Sequence, residues 1–171
     1  MWTSAIETRS NLTIKPNEGL GCLRFGILPK EVEEHLGRAN LTGEHSDPAP
    51  DLGFGWYYSK LCLDVFFHRP GLLAGPLRSN GPFQLVMFTS SHRNLTLWGN
   101  RILRLPEREV LAILAGHGEH RFQPLERQAT GKVLRILDLN LDLNFERGRL
   151  VRCQWRWVPQ PESLAPGPQS L

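Results

Sequence analysis

The chain has 171 residues, 40% of them hydrophobic and 22% charged, with a formal net charge of +3. That balance is ordinary for a globular fold and suits one domain, or two small halves around a shared core. No run of eighteen apolar residues is present, which excludes a membrane-crossing helix. Residues 1–20 hold no apolar stretch of the secretory kind, so the sequence predicts a cytoplasmic protein.

Cys22, Cys62 and Cys153 are too few and too widely spaced for a disulfide framework or a structural zinc site. They read as reduced thiols. Three Asn-Leu-Thr triplets, at Asn11, Asn40 and Asn94, have no glycosylation meaning without secretion. Residues 1–85 carry eight Lys/Arg and nine Asp/Glu, and residues 86–171 carry twelve and eight. Eleven of those twelve cations are arginine, the residue that pairs bidentately with carboxylates and phosphates.

Asn11-Leu12-Thr13-Ile14 opens the chain's patterned part. Pro29 then starts a short helix, since proline's missing N–H leaves no bond unmade in a first turn. Val32 and Leu36 form its buried stripe, Glu31, Glu33 and Glu34 face outward near the positive end of the helix dipole, and Gly37 stops it. Residues 39–55 read as a long loop. Leu61, Leu63, Val65 and Phe67 alternate with Cys62, Asp64, Phe66 and His68, a strand with one buried face. Residues 69–82 form a second long loop, and 84–89 the return strand.

Asn94-Leu95-Thr96-Leu97 begins a second series. Pro106 opens a helix whose stripe is Val110, Ile113 and Leu114, with Gly116 at its end. Leu137, Leu139, Leu141, Leu143 and Phe145 alternate with Asp138, Asn140, Asp142, Asn144 and Glu146 over ten residues. Arg147-Gly148 turns the chain, and Val151, Cys153, Trp155 and Trp157 alternate with Arg152, Gln154 and Arg156 on the way back. The Pro-rich residues 158–171 read as a disordered tail.

The two series echo one another. The frame Glu-Val-x-x-x-Leu recurs 78 residues on, from Glu31 to Glu109, and Leu63-Asp64-Val65-Phe66-Phe67 returns 78 residues on as Leu141-Asp142-Leu143-Asn144-Phe145. The Asn-Leu-Thr echo from Asn11 to Asn94 has a spacing of 83. The reading is α+β: two tandem copies of a short helix plus an antiparallel β-meander, their sheets forming one open face. Residues 1–93 are the first unit, 94–157 the second and 158–171 the tail.

This architecture resembles the β-lactamase inhibitory protein family and the small outer-membrane assembly lipoproteins. The resemblance spans residues 12–157 and rests on Phe25-Gly26, Glu31-Val32, Leu36-Gly37 and Trp56-Tyr57-Tyr58 with their counterparts. This chain lacks a secretory segment and cysteines spaced for paired disulfides. What the resemblance implies is a cytoplasmic relative that binds a protein, most specifically an immunity protein that neutralises a cognate bacterial toxin. An envelope assembly scaffold is the alternative, and a small enzyme comes after it.

No catalytic constellation is legible. His117-Gly118-Glu119-His120 is interrupted by glycine and has no third metal ligand. Cys62 and His68 lie about 20 Å apart along a strand, too far for a nucleophile–base pair. The acidic and amide residues of 138–144 are the wet side of a strand rather than a calcium loop, because the loop's glycine and terminal glutamate are missing. The expected partner-binding residues are those on the outward sheet face: Tyr58, Phe66 and His68 in the first unit, and Asp142, Asn144, Arg152, Gln154 and Arg156 in the second. A protein partner is expected, with no cofactor, no metal, no membrane and no nucleic acid, since alternating acids weaken a phosphate-tracking surface.

Overall fold

The computed structural model describes residues 12–44, 53–69, 81–119, 121–128 and 131–158. In chain order the elements are β1 (Thr13–Lys15), β2 (Gly19–Leu20), β3 (Leu23–Arg24), α1 (Pro29–Leu36), β4 (Leu41–Glu44), β5 (Gly53–Tyr58), a 3₁₀ turn (Ser59–Leu61), β6 (Leu63–His68), β7 (Gln84–Ser90), β8 (Thr96–Leu97), β9 (Asn100–Arg101), α2 (Glu107–Gly116), β10 (Phe122–Gln128), β11 (Gly131–Ile136), β12 (Leu141–Glu146) and β13 (Arg149–Arg156). The fold is α+β and rich in strand. Among the described residues no helix is long and apolar enough to cross a membrane.

Eight strands form one antiparallel sheet in the order β4-β5-β6-β7-β13-β12-β11-β10. The meander β4 to β7 and the meander β10 to β13 meet at β7·β13, so the strand order is palindromic about that seam. A small sheet, β3-β2-β1-β8-β9, contains one parallel pair, β1·β8. Both sheets and both helices contribute to a single hydrophobic core. Val32 of α1 and Val110 and Leu114 of α2 are fully buried in it. Trp155 of β13 is buried too, stacks on Phe88 of β7, and donates its indole N–H to Gly19 O at 3.0 Å, tying the two sheets together.

The 78-residue spacing reappears in the backbone. In β5·β6 the pairs run from Gly53↔His68 to Tyr58↔Leu63, and in β11·β12 from Gly131↔Glu146 to Ile136↔Leu141. The register breaks fall at Phe66/Phe67 and Asn144/Phe145. The residue before each following strand is left-handed: Cys62 at φ 43° and Asn140 at φ 49°. Gly26 (φ 88°) and Arg104 (φ 72°) precede the two helices, and each donates its N–H to the return strand, Gly26 to Leu85 O and Arg104 to Leu150 O. The two acceptors, Leu85 and Leu150, are 65 residues apart. The β6–β7 connection has fifteen residues, 69–83, where Arg147-Gly148 suffices between β12 and β13.

Several expectations need correction. The alternation from Leu137 to Glu146 is not one strand: residues 137–140 turn, with left-handed Asn140, and the strand starts at Leu141. Asparagine tolerates that conformation, and leucine spacing alone does not reveal it. Leu61 lies in the 3₁₀ turn, and Cys62 caps it rather than lying in a strand. Within the expected loop 39–55, residues 41–44 and 53–55 are in strands β4 and β5. The threonines of the Asn-Leu-Thr echo, Thr13 and Thr96, are neighbours in β1·β8, their hydroxyls 3.0 Å apart. The hairpin pairs Leu20↔Leu23 and Leu97↔Asn100 lie 77 residues apart. Of the loop 69–82 only residues 69, 81 and 82, and of the tail only residue 158, lie within the described residues.

Close strand packing demands glycine at both matched positions. A Cβ on Gly131 would lie 2.7 Å from Phe145 O, and one on Gly53 would lie 2.5 Å from Phe67 O. Gly43, in β4, has open space instead. Gly131→Ala is expected to lower stability by about 1–3 kcal/mol, as overpacking does, whereas Gly43→Ala stays within about 0.5 kcal/mol. Urea unfolding monitored by tryptophan fluorescence measures both, and equal effects would contradict the packing account.

Candidate functional site

Along each strand of the large sheet, side chains alternate between the core and the opposite face. The opposite face carries a continuous transverse row, each residue paired with the next: Tyr57, Asp64, Thr89, Gln154, Asp142 and Arg135. This row crosses the β7·β13 seam, so it belongs to neither meander alone. Phe66, Met87 and Arg156 line up beside it on one flank. Asn144 and Arg152 pair on the other.

Of the residues expected to bind a partner, Phe66, His68, Asp142, Asn144, Arg152, Gln154 and Arg156 share this face. Tyr58 does not. It is 4% exposed, pairs with core residue Leu63, and donates its hydroxyl to Gly37 O at 3.2 Å. The outward tyrosine is Tyr57, opposite Asp64. The parity was misjudged because β5 and β6 are joined by the 3₁₀ turn and a left-handed residue, so alternation cannot be carried across from one strand to the other. Phe66 and His68 are half-buried, and both are in contact with other groups.

Asp142 anchors the face electrostatically. It is 5% exposed. Arg135 grips it with two bonds, Nε to Oδ1 at 2.7 Å and Nη2 to Oδ2 at 2.8 Å, and Arg156 Nη2 donates to Oδ2 at 2.6 Å. A buried carboxylate held by two guanidiniums is satisfied and fixes both arginines' heads on neighbouring strands. The hydrogen bond to Asp142 raises the Arg135 pKa. Across the seam, burial pushes the Asp64 carboxyl above its ordinary range, and the positive charge of Arg152 only partly offsets this. Partial burial disfavours the charged form of that carboxyl.

Sequence reasoning missed Tyr57, Asp64, Thr89 and Arg135 as site residues. Asp64 was legible as outward-facing, and Arg135 could have been found from its place between the apolar Leu134 and Ile136 once β11 was recognised.

The nucleophile-type groups are dispersed. Cys62 Sγ donates to Ser59 O at 3.6 Å and does not meet His68. Cys22 Sγ lies 3.9 Å from His35 Nδ1 at the surface. Cys153 is fully buried, and burial raises its thiol pKa far above the usual range. His117 stacks on Trp98 with ring centroids 4.1 Å apart, and His120 lies outside the described residues. Among the described residues, no group of three or more His, Cys, Asp and Glu is arranged to hold a metal ion. Comparison with known protein families, curated proteins and solved structures found no match.

Two bidentate Arg–Asp pairs differ in burial. Asp142→Asn leaves two guanidiniums facing a neutral amide and is expected to cost about 1–3 kcal/mol. Asp138→Asn breaks the more exposed Arg121–Asp138 pair and is expected to cost about 0–1 kcal/mol. Denaturant midpoints of the two variants decide it, and a reversed order would refute the anchoring role of Asp142.

Tyr58 gives a pH signature. Burial first, and the charge of Glu33 second, raise its pKa to about 12. Its folded value therefore lies above the unfolded value of about 10. Its contribution is complete below the unfolded pKa and is lost as pH rises toward the folded one. Stability should decline between about pH 10 and pH 12, and Tyr58→Phe should flatten that part of the curve. Urea titrations at several alkaline pH values provide the measurement, and parallel curves would exclude the assignment.

Proposed function

We propose that the chain is built from two tandem copies of one helix-plus-meander unit, and that the shared sheet face they create binds a protein. In this reading the protein is an inhibitor without turnover, an immunity protein that neutralises a cognate bacterial toxin in the cytoplasm. The matched registers, bulges and left-handed positions at a spacing of 78 support the duplication. The three free thiols suit a reducing compartment.

The observation that carries the binding reading is the row from Tyr57 to Arg135 crossing the seam. Eight strands about 4.8 Å apart and six residues about 3.4 Å long give a face of roughly 700 Å². That is close to the roughly 800 Å² that each partner contributes to a specific interface. The face mixes aromatic, thioether and guanidinium groups, the types enriched at binding hot spots, with amides and carboxylates that fix orientation. Asp142 holds Arg135 and Arg156 in place before any partner arrives, which lowers the ordering cost of binding.

Affinity capture from the native cell tests the proposal with three forms: the natural chain, Arg152→Glu on the face, and Lys30→Glu on α1. One stoichiometric protein should be captured by the first and third and lost with the second. Expression of that protein alone should arrest growth, and co-expression of the natural chain should restore it. Equal capture by all three forms would remove the face from the account. A captured protein that is harmless when expressed would replace inhibition with assembly.

A further inference from the structure

Away from the sheet face, a second surface gathers four arginines. Arg104 precedes α2, Arg108 lies in its first turn, and Arg147 and Arg149 flank Gly148 in the β12–β13 turn. All four are exposed. The two segments are locked together: Arg104 N donates to Leu150 O, Leu150 N to Leu105 O, and Glu107 N to Gly148 O, with Pro106 bridged to Arg149. Arg149 Nη1 donates to Arg104 O at 2.9 Å, holding its guanidinium at the junction. Among the described residues none of the four is ion-paired, and the neighbouring Glu107 pairs with Lys132.

The backbone favours other residues at two of these positions. Arg104 has φ 72° where Gly26 has φ 88° before α1. Arg147 has φ 49° and is followed by Gly148 at φ 74°, a two-residue turn that usually takes Asn-Gly or Asp-Gly. Arginine stands at both left-handed positions although smaller residues fit them better.

We propose that this patch docks a short acidic segment of a protein. Four guanidiniums without an ion pair among the described residues complement several carboxylates, and the chain's own Arg135–Asp142 pair shows the bidentate form such contacts take. Nucleic acid suits the patch less well. The four arginines sit on two short segments joined at one junction, with Glu109 and Glu146 at its border, so the site spans too little surface to follow the successive phosphates of a strand. This surface is independent of the sheet-face reading, and either can fail without the other.

Fluorescence anisotropy with a labelled polyglutamate peptide tests it. The patch variant is Arg104→Gly, Arg108→Gln, Arg147→Asn and Arg149→Gln, chosen so that the left-handed positions receive residues that favour them. The control removes the same charge elsewhere: Lys15→Gln, Arg24→Gln, Arg38→Gln and Lys60→Gln. Circular dichroism verifies that both remain folded. The patch variant should bind at least about tenfold more weakly than the natural chain, and the control within about twofold of it. Absence of binding by the natural chain, or equal loss in both variants, would overturn the proposal. So would tighter binding of single-stranded or duplex oligonucleotides through the same arginines.

Discussion

The pairing of β7 with β13 is the constraint on which the rest of the structure depends. Separated, each four-stranded meander would present a bare edge strand and a half-covered hydrophobic face. Paired, the seam matches Ser90 with Cys153, Thr89 with Gln154, Phe88 with Trp155 and Met87 with Arg156. Its inward positions include the Phe88–Trp155 stack, with centroids 5.2 Å apart. Its outward positions extend the polar row across the centre of the sheet. One alternation thus closes the core and builds the candidate surface at once. The indole N–H of Trp155, bonded to Gly19 O, also pins the small sheet over that core. Gly19 sits at φ 152°, and a Cβ there would lie 2.0 Å from Leu23 O, so this anchor point depends on glycine.

The two edges of the large sheet differ. On one side β10 carries Pro124 and a register shift beside it, both of which hinder pairing with another strand. On the other, β4 is short, and Leu41 is 65% exposed. The residue matching that governs the centre is therefore relaxed at the margins. It is strictest in β5·β6 and β11·β12, where glycine at the strand start allows the backbones to approach closely.

Much of this was legible in local pattern. Proline followed by an i, i+4 stripe located both helices, and alternation located β6, β12 and β13. The repeated frame from Glu31 to Glu109 gave the spacing that the backbone registers share. What escaped was set by contacts distant in sequence or by single backbone angles. Asn140 breaks a ten-residue leucine alternation by entering the left-handed region, a choice that hydrophobic spacing does not encode. Residues 121–136 carry no assigned element in the sequence reading, so β11, Arg135 and hence the clamp on Asp142 were invisible. Tyr58 and Tyr57 exchanged faces for a related reason. The seam joins strands about sixty residues apart, and nothing in either strand names the other.

Native-state hydrogen exchange tests the central claim, that the two meanders form one sheet through β7·β13. Backbone amides of Phe88, Ser90, Cys153 and Trp155 should be among the slowest to exchange and should open together with those of Val65 and Leu143 in one global unfolding event. Seam amides exchanging as fast as those of the edge strands, with the two meanders opening at separate free energies, would contradict it.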